Sequence, residues 1–555
     1  MKKIFRLFSI LILLIPVLLF PQGSLLMMGG GSDAYYPGSW VAPVYIWFVQ
    51  QADSGKIINI DVSSVAQGYA DDFISCGADP ASHSLQIATR TAANDSAIFK
   101  ELISAKGIFI EGGDQWDYVK TWKNTLVEDA IHYVFENGGV IGGTSAGLAI
   151  EGSVSFSAQY GSLYPEDAAY NPYSTDMQFE DDFLQILPGV ITDSHFHPRG
   201  RLGRLVPMLA RRIQDYHEDL VGIGIDEKTA LCLKPDRTGK VYGIGSVTII
   251  HKTDKSVIHC TPYEPVVFTN LCLHQLIDEM EYDLTNRQVL HPENVLKAVF
   301  QVQPEFRYQT LTINGSDESA AYDGAVVITK LTGSATNAWY GRLEQSVGNE
   351  NIPQSIIIPR LYSNSDYFEN RWIGGMYGAA DHPGYIAIYL DDDCHVRISS
   401  DGILTTDKLV YILDTGTMTH AGFKYPQNSN HPGMVNTRLH FLNSFESFQL
   451  STRQVNTGIA FENPDIPDDY LLISCFPNPF NAILTVHYQI PVTAHTEISI
   501  FSLDGKYTKS IINSVQNRGK HTIHWNFNSN YGSGLYFIRL RNSSYTKTIK
   551  VLYLK

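Results

Sequence analysis

Strand-like and helix-like patterns alternate along the first part of the chain. Short apolar runs of the kind found in buried strands occupy residues 25–28, 57–62, 107–110 and 140–141. Between them, apolar residues recur at helical spacing over residues 67–76, 96–104 and 127–136. Strands that alternate with helices predict an α/β fold with a doubly wound, mostly parallel sheet.

Small residues follow three of these predicted strands. They lie at residues 29–31, 112–115 and 142–145. The carboxyl ends of parallel strands meet at one edge of a sheet, and open α/β sheets bind ligands in the crevice there. We therefore expect the three glycine-rich segments to converge on one site.

The last of these segments contains a candidate nucleophile. Gly143, Ser145 and Gly147 fit the pattern G-x-S-x-G, in which a serine sits on a tight strand-to-helix turn. Such a serine needs small neighbours because its backbone is strained. Free N–H groups at the start of the following helix can stabilise an oxyanion. The alternative is a glycine-rich turn with an incidental serine.

A serine nucleophile needs a base, and the base needs an orienting acid. His195 is the best candidate base because it also follows a predicted strand, and either Glu227 or Asp226 could orient it. The order along the chain is then serine, histidine, acid. The α/β-hydrolases have the order serine, acid, histidine, so this order argues against a lipase or esterase.

A metal site is the competing interpretation of the same histidine. Asp193, His195 and His197 alternate along a predicted strand, so their side chains would point to one side and offer three ligands. The serine pattern makes a second chemistry unnecessary. We expect neither a metal nor a cofactor.

Composition excludes some functions. A formal net charge of −16 argues against a nucleic-acid-binding protein, which would present a basic face. The six cysteines form no C-x-x-C pair and are too few for a disulfide scaffold, although one or two bridges are compatible with an oxidising compartment. The length of 555 residues predicts roughly two to four domains.

The N-terminus has the three parts of a signal peptide. Lys2, Lys3 and Arg6 give a positive start, and residues 8–20 are apolar but too short to span a bilayer comfortably. A helix break with small residues follows. We expect residues 1–23 to be a signal peptide, and a retained membrane anchor is the alternative.

Four motifs together resemble those of cyanophycinases, the serine peptidases of family S51. They are G-G-D-Q at 112–115, G-G-T-S-A-G at 142–147, D-x-H-F-x-x-R-x-R-x-x-R-L at 193–205 and G-I-D-E at 224–227. The resemblance covers roughly residues 24–250 and implies a fold similar to the class I glutamine amidotransferases. It also implies that Ser145 is the nucleophile, His195 the base and Glu227 the acid.

The same resemblance implies further roles. Backbone N–H groups of Ala146 and of Gly113 or Asp114 would form the oxyanion hole. The substrate would be cyanophycin, in which arginine is joined to the side-chain carboxyls of a poly-aspartate backbone. The residues implied in binding its β-linked aspartyl-arginine unit are Gln115, Asp193 and Arg199.

Some features depart from the family's pattern or lie outside its roles. Ser194 stands where the family usually has glutamine, and residues 37–56 are unusually aromatic, which bears on the substrate more than on the chemistry. Arg199, Arg201 and Arg204 do not share one helix face, so at least one of them is expected to be structural.

Residues 291–462, after a predicted peptidase domain of residues 24–290, read as a β-rich region of unknown role. Residues 384–393 echo the pattern of 221–227, and residues 409–414 echo that of 247–250. A degenerate internal repeat would explain this. Two unrelated hairpins would explain it equally, and we favour them slightly. The region has no G-x-S-x-G pattern, and we assign it no catalysis.

The C-terminal segment is a small β-sandwich by its alternation, following a linker at residues 463–469. Within residues 470–555, F-P-N-P-F-N at 476–481, G-L-Y-F at 534–537 and the terminal strand resemble the type A sorting domain of the type IX secretion system. This implies export through the outer membrane by that machinery. A carbohydrate-binding or adhesive sandwich is the alternative.

These observations predict a secreted serine-type exopeptidase. It would hydrolyse β-linked aspartyl peptides such as cyanophycin to β-Asp-Arg dipeptides through a Ser-His-Glu triad and an acyl-enzyme. A homodimer is left open, and no nucleic-acid partner is expected. One alternative is a catalytically inactive, S51-like extracellular binding protein. The other is a metal-dependent hydrolase that uses Asp193, His195 and His197.

Overall fold

The structure is a computed structural model. It describes residues 23–65, 67–299, 307–362, 371–424 and 430–457 and, with short gaps, residues 472–554. The predicted signal peptide, apart from Gly23, and the predicted linker at 463–469 lie outside the described residues. Among the described residues, no helix is long and apolar enough to cross a membrane.

Residues 24–144 form the parallel part of the first sheet. The strands are β1 (Ser24–Met28), β2 (Ile57–Asp61), β3 (His83–Gln86), β4 (Gly107–Ile110) and β5 (Val140–Thr144). The helices are α1 (Ala42–Gln51), α2 (Gln67–Ser75), α3 (Arg90–Ala93), α4 (Ser96–Leu102), α5 (Gln115–Trp122) and α6 (Leu126–Glu136). The strands are parallel to their neighbours in the order β1-β5-β4-β2-β3, which confirms the predicted parallel strands.

Residues 145–290 extend this sheet and begin a second one. The helices are α7 (Ala146–Ala149), α8 (Pro165–Tyr170) and α9 (Leu202–Tyr216), with a 3-10 turn at His197–Arg199. The strands are β6 (Gly152–Phe156), β7 (Phe179–Glu180), β8 (Leu187–Asp193), β9 (Val221–Ile225), β10 (Thr229–Leu233), β11 (Thr238–Gly243), β12 (Ser246–His251), β13 (Ile258–His259), β14 (Val267–Ile277), β15 (Glu281–Asp283) and β16 (Gln288–Leu290). Antiparallel β10, β11, β15 and β16 continue the first sheet beyond β1, so that sheet is mixed.

Residues 291–457 are rich in strands, as predicted. The strands are β17 (Lys297–Ala298), β18 (Leu311–Asn314), β19 (Val326–Thr329), β20 (Glu344–Val347), β21 (Ser355–Ile358), β22 (Ile386–Leu390), β23 (His395–Ile398), β24 (Ile403–Thr406), β25 (Val410–Asp414), β26 (His420–Phe423), β27 (Pro432–Leu442), β28 (Glu446–Gln449) and β29 (Gln454–Thr457). The helices are α10 (Ser334–Trp339) and α11 (Trp372–Asp381), with 3-10 turns at Pro292–Asn294 and Glu318–Asp323.

The second sheet runs across the predicted boundary at residue 290. Its strand order is β20-β19-β21-β22-β25-β27-β14-β12-β9-β8-β6-β7, and β14 and β27 pair at its centre. One apolar core follows this sheet and contains side chains from both sides of the boundary, such as Phe196 and Leu205 with Trp372 and Phe441. Residues 24–290 and 311–457 therefore share a sheet and a core.

The C-terminal segment is all β, as predicted. Its strands are β30 (Leu472–Phe476), β31 (Ile483–Ile490), β32 (Ala494–Ser502), β33 (Tyr507–Gln516), β34 (Gly519–Asn526), β35 (Gly534–Arg541) and β36 (Thr546–Tyr553). They form antiparallel sheets of three and four strands. Leu484, Ile500, Trp525 and Ile538 belong to an apolar core between these sheets.

Candidate active site

Ser145 lies on the tight turn between β5 and α7. Its backbone has φ 54° and ψ −110°, a strained conformation for a residue with a side chain. A Cβ on Gly143 would lie 2.4 Å from the backbone of Gly147, and a Cβ on Gly147 would lie 2.3 Å from the carbonyl oxygen of Ile110. The turn thus requires the small residues that the sequence pattern supplies.

His195 reaches Ser145 from the second sheet. It follows β8 with a φ of 46°, and its backbone N–H donates to the carbonyl oxygen of Gly29 at 2.8 Å. Its Nε2 lies 2.8 Å from Oγ of Ser145. Gly30 permits this approach, because a Cβ there would lie 2.6 Å from the imidazole. The glycines after β1 therefore make room for the histidine.

Glu227 continues the hydrogen-bonded relay. It lies in the turn between β9 and β10, and its Oε1 is 2.7 Å from Nδ1 of His195. Because a carboxylate only accepts, Nδ1 carries the imidazole proton and Nε2 keeps a lone pair for the hydroxyl of Ser145. Of the two acids that the sequence offers, Glu227 is the one that contacts the histidine.

The surroundings of His195 favour its neutral form. Burial lowers the pKa of the imidazole, and the positive charges of Arg199 and Arg201 lower it further, against the opposing hydrogen bond to Glu227. Only a neutral imidazole can take a proton from a serine hydroxyl. The three side chains have the arrangement that nucleophilic acyl transfer needs.

The segments that carry the predicted oxyanion donors lie beside the serine. Ala146 follows Ser145 directly and begins α7. The loop that contains Gly113 and Asp114 reaches the same place, because a Cβ on Gly112 would lie 3.2 Å from Cβ and 3.7 Å from Oγ of Ser145. The side chain of Asp114 caps α5, which leaves its backbone as the part available to a substrate.

Two of the predicted substrate-binding residues lie on segments that border this centre. Gln115 is the first residue of α5, and its Nε2 donates to the carbonyl oxygen of Phe156 at 3.2 Å. Arg199 ends the 3-10 turn that follows His195, to whose carbonyl oxygen it donates its backbone N–H at 3.2 Å. The positive charge of Arg199 favours the neutral imidazole and so lowers the pKa of His195.

The third, Asp193, is held by two arginines. It is 3% exposed, its two oxygens lie 2.6 and 2.7 Å from Nη2 and Nε of Arg204, and Nη1 of Arg201 is 3.1 Å away. Burial alone would raise the pKa of Asp193, but the charges of Arg204 and Arg201 lower it. Asp193 thus joins the end of β8 to the start of α9, and a substrate guanidinium would have to displace one of these arginines.

Asp193, His195 and His197 do not share a metal site, which corrects the metal-based alternative. Asp193 pairs with arginines, His195 takes part in the relay, and Nδ1 of His197 lies 3.0 Å from Oδ1 of Asp226. The three side chains meet different partners because the chain turns sharply after β8. Their alternation in sequence therefore does not place them on one face.

A buried cluster around Asp226 was not indicated by the sequence. Asp226 accepts the backbone N–H of His197 at 2.8 Å and the N–H and hydroxyl of Ser246 at 3.0 and 2.7 Å, and Nε2 of His431 lies 3.3 Å away. Burial alone would raise the pKa of Asp226, but His197 and His431 lower that pKa to about 2. These residues have metal-ligand chemistry, but both carboxylate oxygens already accept hydrogen bonds. The cluster joins segments far apart in sequence, and no local pattern reveals it.

A second group with metal-ligand chemistry lies at the β12–β14 pair. Its members are His251, Cys272 and His274, whose ligand atoms lie within 4.8 Å of one another. Nδ1 of His274 accepts the backbone N–H of Asn436 at 3.2 Å. The proton of the neutral ring is therefore on Nε2, which faces Sγ of Cys272 at 3.5 Å. This tautomer opposes metal binding.

Comparison with known proteins matches two segments of the chain to known families. Residues 62–241 match peptidase family S51, and residues 474–554 match the secretion system C-terminal sorting domain. The sorting domain indicates export by type IX secretion to the cell surface or beyond.

Several curated relatives are cyanophycinases. The protein of Synechococcus elongatus is 36% identical over 211 residues, which are 37% of this chain and 62% of that protein. The protein of Geminocystis herdmanii is 31% identical over 196 residues, which are 35% of this chain and 67% of that protein. The chain thus spans somewhat under two thirds of the first of these relatives.

Among solved structures, a peptidase from an acI-B1 Actinobacterium aligns with 20% identity and a TM-score of 0.32. The alignment covers 42% of this chain and 91% of that one.

Proposed function

Because the chain belongs to peptidase family S51, we propose that it is a secreted serine-type exopeptidase that hydrolyses β-linked aspartyl peptides such as cyanophycin to β-Asp-Arg dipeptides. The observation that carries the proposal is the relay of 2.8 and 2.7 Å from Ser145 through His195 to Glu227. The relatives named cyanophycinases support the substrate class.

The proposed reaction begins at the serine. Oγ of Ser145 attacks the scissile carbonyl carbon while Nε2 of His195 takes the hydroxyl proton, and Glu227 stabilises the imidazolium that forms. The backbone N–H of Ala146 and one from the Gly113–Asp114 peptides donate to the oxyanion. His195 then gives its proton to the departing amine, which leaves an acyl-enzyme.

Water completes the cycle. Neutral again, His195 takes a proton from a water molecule that attacks the ester carbonyl, and the same N–H groups hold the second oxyanion. The proton returns to Oγ of Ser145 as the product acid leaves. In this scheme each group acts twice, and neither half-reaction requires a metal.

Substrate recognition is assigned to the groups next to the relay. Arg199 supplies a positive charge beside His195, which suits a carboxylate of an aspartyl unit, and Gln115 supplies an amide at the start of α5. Asp193 acts through Arg201 and Arg204 by fixing the start of α9. We also assign the first sheet to the arrangement of class I glutamine amidotransferases.

The test uses the chain without residues 1–23. It is incubated with cyanophycin and with a β-aspartyl-arginine peptide, and the products are followed by mass spectrometry. Ser145→Ala removes the nucleophile, and Ser153→Ala is the matched control, because Ser153 accepts backbone N–H groups at the neighbouring β6–β8 pair and has no role in the relay.

The outcomes separate the parts of the proposal. β-Asp-Arg dipeptides from the wild type and from Ser153→Ala, but not from Ser145→Ala, support both chemistry and substrate. If a fluorophosphonate labels Ser145 but neither substrate is cleaved, the proposed relay is supported and the proposed substrate is rejected. Neither cleavage nor labelling would favour the inactive binding protein.

A further inference from the structure

The two halves of the second sheet have the same strand order. Outward from β14 come β12 and β9, both antiparallel to their inner neighbour, then β8 and β6, both parallel, and then antiparallel β7. Outward from β27 come β25, β22, β21, β19 and β20 with the same sequence of directions. The β14–β27 pair therefore lies at a local two-fold axis.

The connections repeat as well. The hairpin β10–β11 joins β9 to β12, β10 pairs with β1, and β11 pairs with β15 after β14. The hairpin β23–β24 joins β22 to β25, β23 pairs with β18, and β24 pairs with β28 after β27. The two echoing stretches of sequence, β9 with β22 and β12 with β25, thus hold equivalent places, which favours the repeat over unrelated hairpins.

Backbone details repeat at equivalent residues. Arg360 occupies the position in the second unit that His195 occupies in the first. Both residues have positive φ, 55° and 46°. The backbone N–H of Arg360 donates to the carbonyl oxygen of Gly315 at 3.0 Å, as that of His195 donates to the carbonyl oxygen of Gly29. A Cβ on Gly315 would lie 2.0 Å from the carbonyl oxygen of Asp391, and a Cβ on Gly29 would lie 2.1 Å from that of Asp226.

The β14–β27 pair, called the central seam below, makes reciprocal contacts. The backbone N–H of Asn270 on β14 donates to Nδ1 of His440 on β27 at 3.3 Å. The N–H of Asn436 on β27 donates to Nδ1 of His274 on β14 at 3.2 Å. Both asparagines have positive φ, 53° and 64°. Such reciprocal contacts are the signature of a two-fold interface between like units.

Among its described residues, the second unit has no counterpart of the serine turn and no counterpart of the base. Its β18 leads through residues 315–325 to β19, where the first unit inserts β2 to β5 and the serine turn. Arg360 replaces the base and Asp392 replaces Glu227, with Nε of Arg360 3.5 Å from Oδ1 of Asp392. An arginine cannot accept a proton at neutral pH, so this pair is an ion pair and not a relay.

We propose that residues 311–457 are a degenerate second copy of the catalytic unit, kept as a built-in subunit that positions the base and acid of the first. The contact is made by two elements. α10 packs against the 3-10 turn after His195, and His431, just before β27, places Nε2 3.3 Å from Asp226, the neighbour of Glu227. Asp226 in turn holds the N–H of His197, so His431 braces the segments that carry both relay partners.

The first test of this role measures activity, and in that respect it rests on the proposed function. His431→Phe is compared with His440→Phe, an equally buried histidine of the seam, and with His431→Gln, which keeps an N–H donor. The final fraction of protein labelled by a fluorophosphonate measures how much of it is folded. The rate of labelling measures how well His195 activates Ser145. We expect His431→Phe to slow labelling and kcat by about 10-fold, with KM and the final labelled fraction unchanged, as for other supporting residues of active sites.

The controls decide between positioning and mere stability. His440→Phe should keep the labelling rate of the wild type, and His431→Gln should recover most of it. If His431→Phe is labelled at the wild-type rate, or if all three variants lower only the final labelled fraction, His431 is structural and the positioning role is wrong.

The second test needs no activity. A protease recognition sequence is inserted between residues 299 and 307 of the full chain, and the purified protein is cleaved there. A built-in subunit predicts that the two pieces elute together and that residues 24–299 and 307–457 unfold in one transition, apart from any separate transition of the C-terminal β-sandwich. If the pieces separate while the first stays folded, the second unit is an independent domain. Should the wild type show neither turnover nor labelling, the proposed function fails and this test still decides the subunit.

Discussion

Gly30 sets the distance between His195 and Ser145, the proposed base and nucleophile, so the absence of a side chain at this position has a measurable consequence. A Cβ at this position would lie 2.6 Å from both Cε1 and Nε2 of His195 and 3.2 Å from Cβ of Ser145. Ordinary van der Waals contact begins near 3.4 Å, so Gly30→Ala forces the imidazole away by about 0.8 Å. The 2.8 Å contact between Nε2 and Oγ of Ser145 is then lost.

The expected effect on activity is large. A displacement of this size at the reacting groups lowers kcat by about 100-fold or more. Gly30 also has a φ of 95°, a backbone conformation that disfavours any side chain. Gly30→Ala therefore destabilises the fold by roughly 1–2 kcal/mol even without the steric clash. The two effects must be separated.

Gly38 provides the matched control. Its φ of 87° gives the same backbone penalty, but nothing lies within 4 Å of a Cβ there. Denaturant unfolding should show similar losses of stability for Gly30→Ala and Gly38→Ala. Hydrolysis of a β-aspartyl-arginine peptide should fall only for Gly30→Ala. Equal kcat for the two variants would refute the steric argument.

Four further predictions concern the charges around the relay. Glu227→Gln should lower kcat by about 10³–10⁴-fold with little change in KM, because the imidazolium loses its partner, and steady-state kinetics with a folded variant check this. Only a neutral His195 can act as the base, and burial lowers its pKa. We therefore expect kcat/KM to keep its plateau value at pH values below the ordinary histidine pKa, and to fall only as the pH drops through the lowered pKa of His195. Arg199→Gln removes a positive charge and should move that fall to higher pH, and an unmoved profile would contradict the assigned charge effect. Asp193→Asn leaves two buried arginines without their counter-ion and should destabilise the fold by about 3–5 kcal/mol in denaturant titration, whereas a loss below 1 kcal/mol would contradict a structural ion pair.

The local parts of this site could be predicted from sequence because their causes are local. A serine on a strained turn needs small neighbours at fixed offsets, so Gly143 and Gly147 reveal Ser145 without any tertiary information. The choice between Asp226 and Glu227 was different. Adjacent residues point in opposite directions at the end of β9, so the residue types alone leave both acids open. The resemblance to cyanophycinases selects Glu227, and in the fold Glu227 contacts His195 while Asp226 accepts the N–H of His197.

The remote parts could not be predicted, because nothing local encodes them. β14 and β27 are both 11 residues long and pair at the centre of the second sheet, yet their sequences show only that each is a buried strand. His431 meets Asp226 as a result of that pairing. The roles of Arg201 and Arg204 with Asp193 likewise depend on how α9 packs against β9 and β14.

The relay bridges two layers of the molecule. Ser145 stands on the first sheet, His195 follows a strand of the second, and Glu227 lies where β9 of the second sheet passes into β10 of the first. A displacement of about 0.7 Å along the line from Nε2 of His195 to Oγ of Ser145 would lengthen the 2.8 Å contact to the limit of hydrogen-bond range while both sheets remained intact. The hydrogen bonds of the three side chains therefore depend on the alignment of the two sheets. On heating, we expect turnover to be lost before secondary structure, and activity and circular dichroism measured over the same temperature range check this.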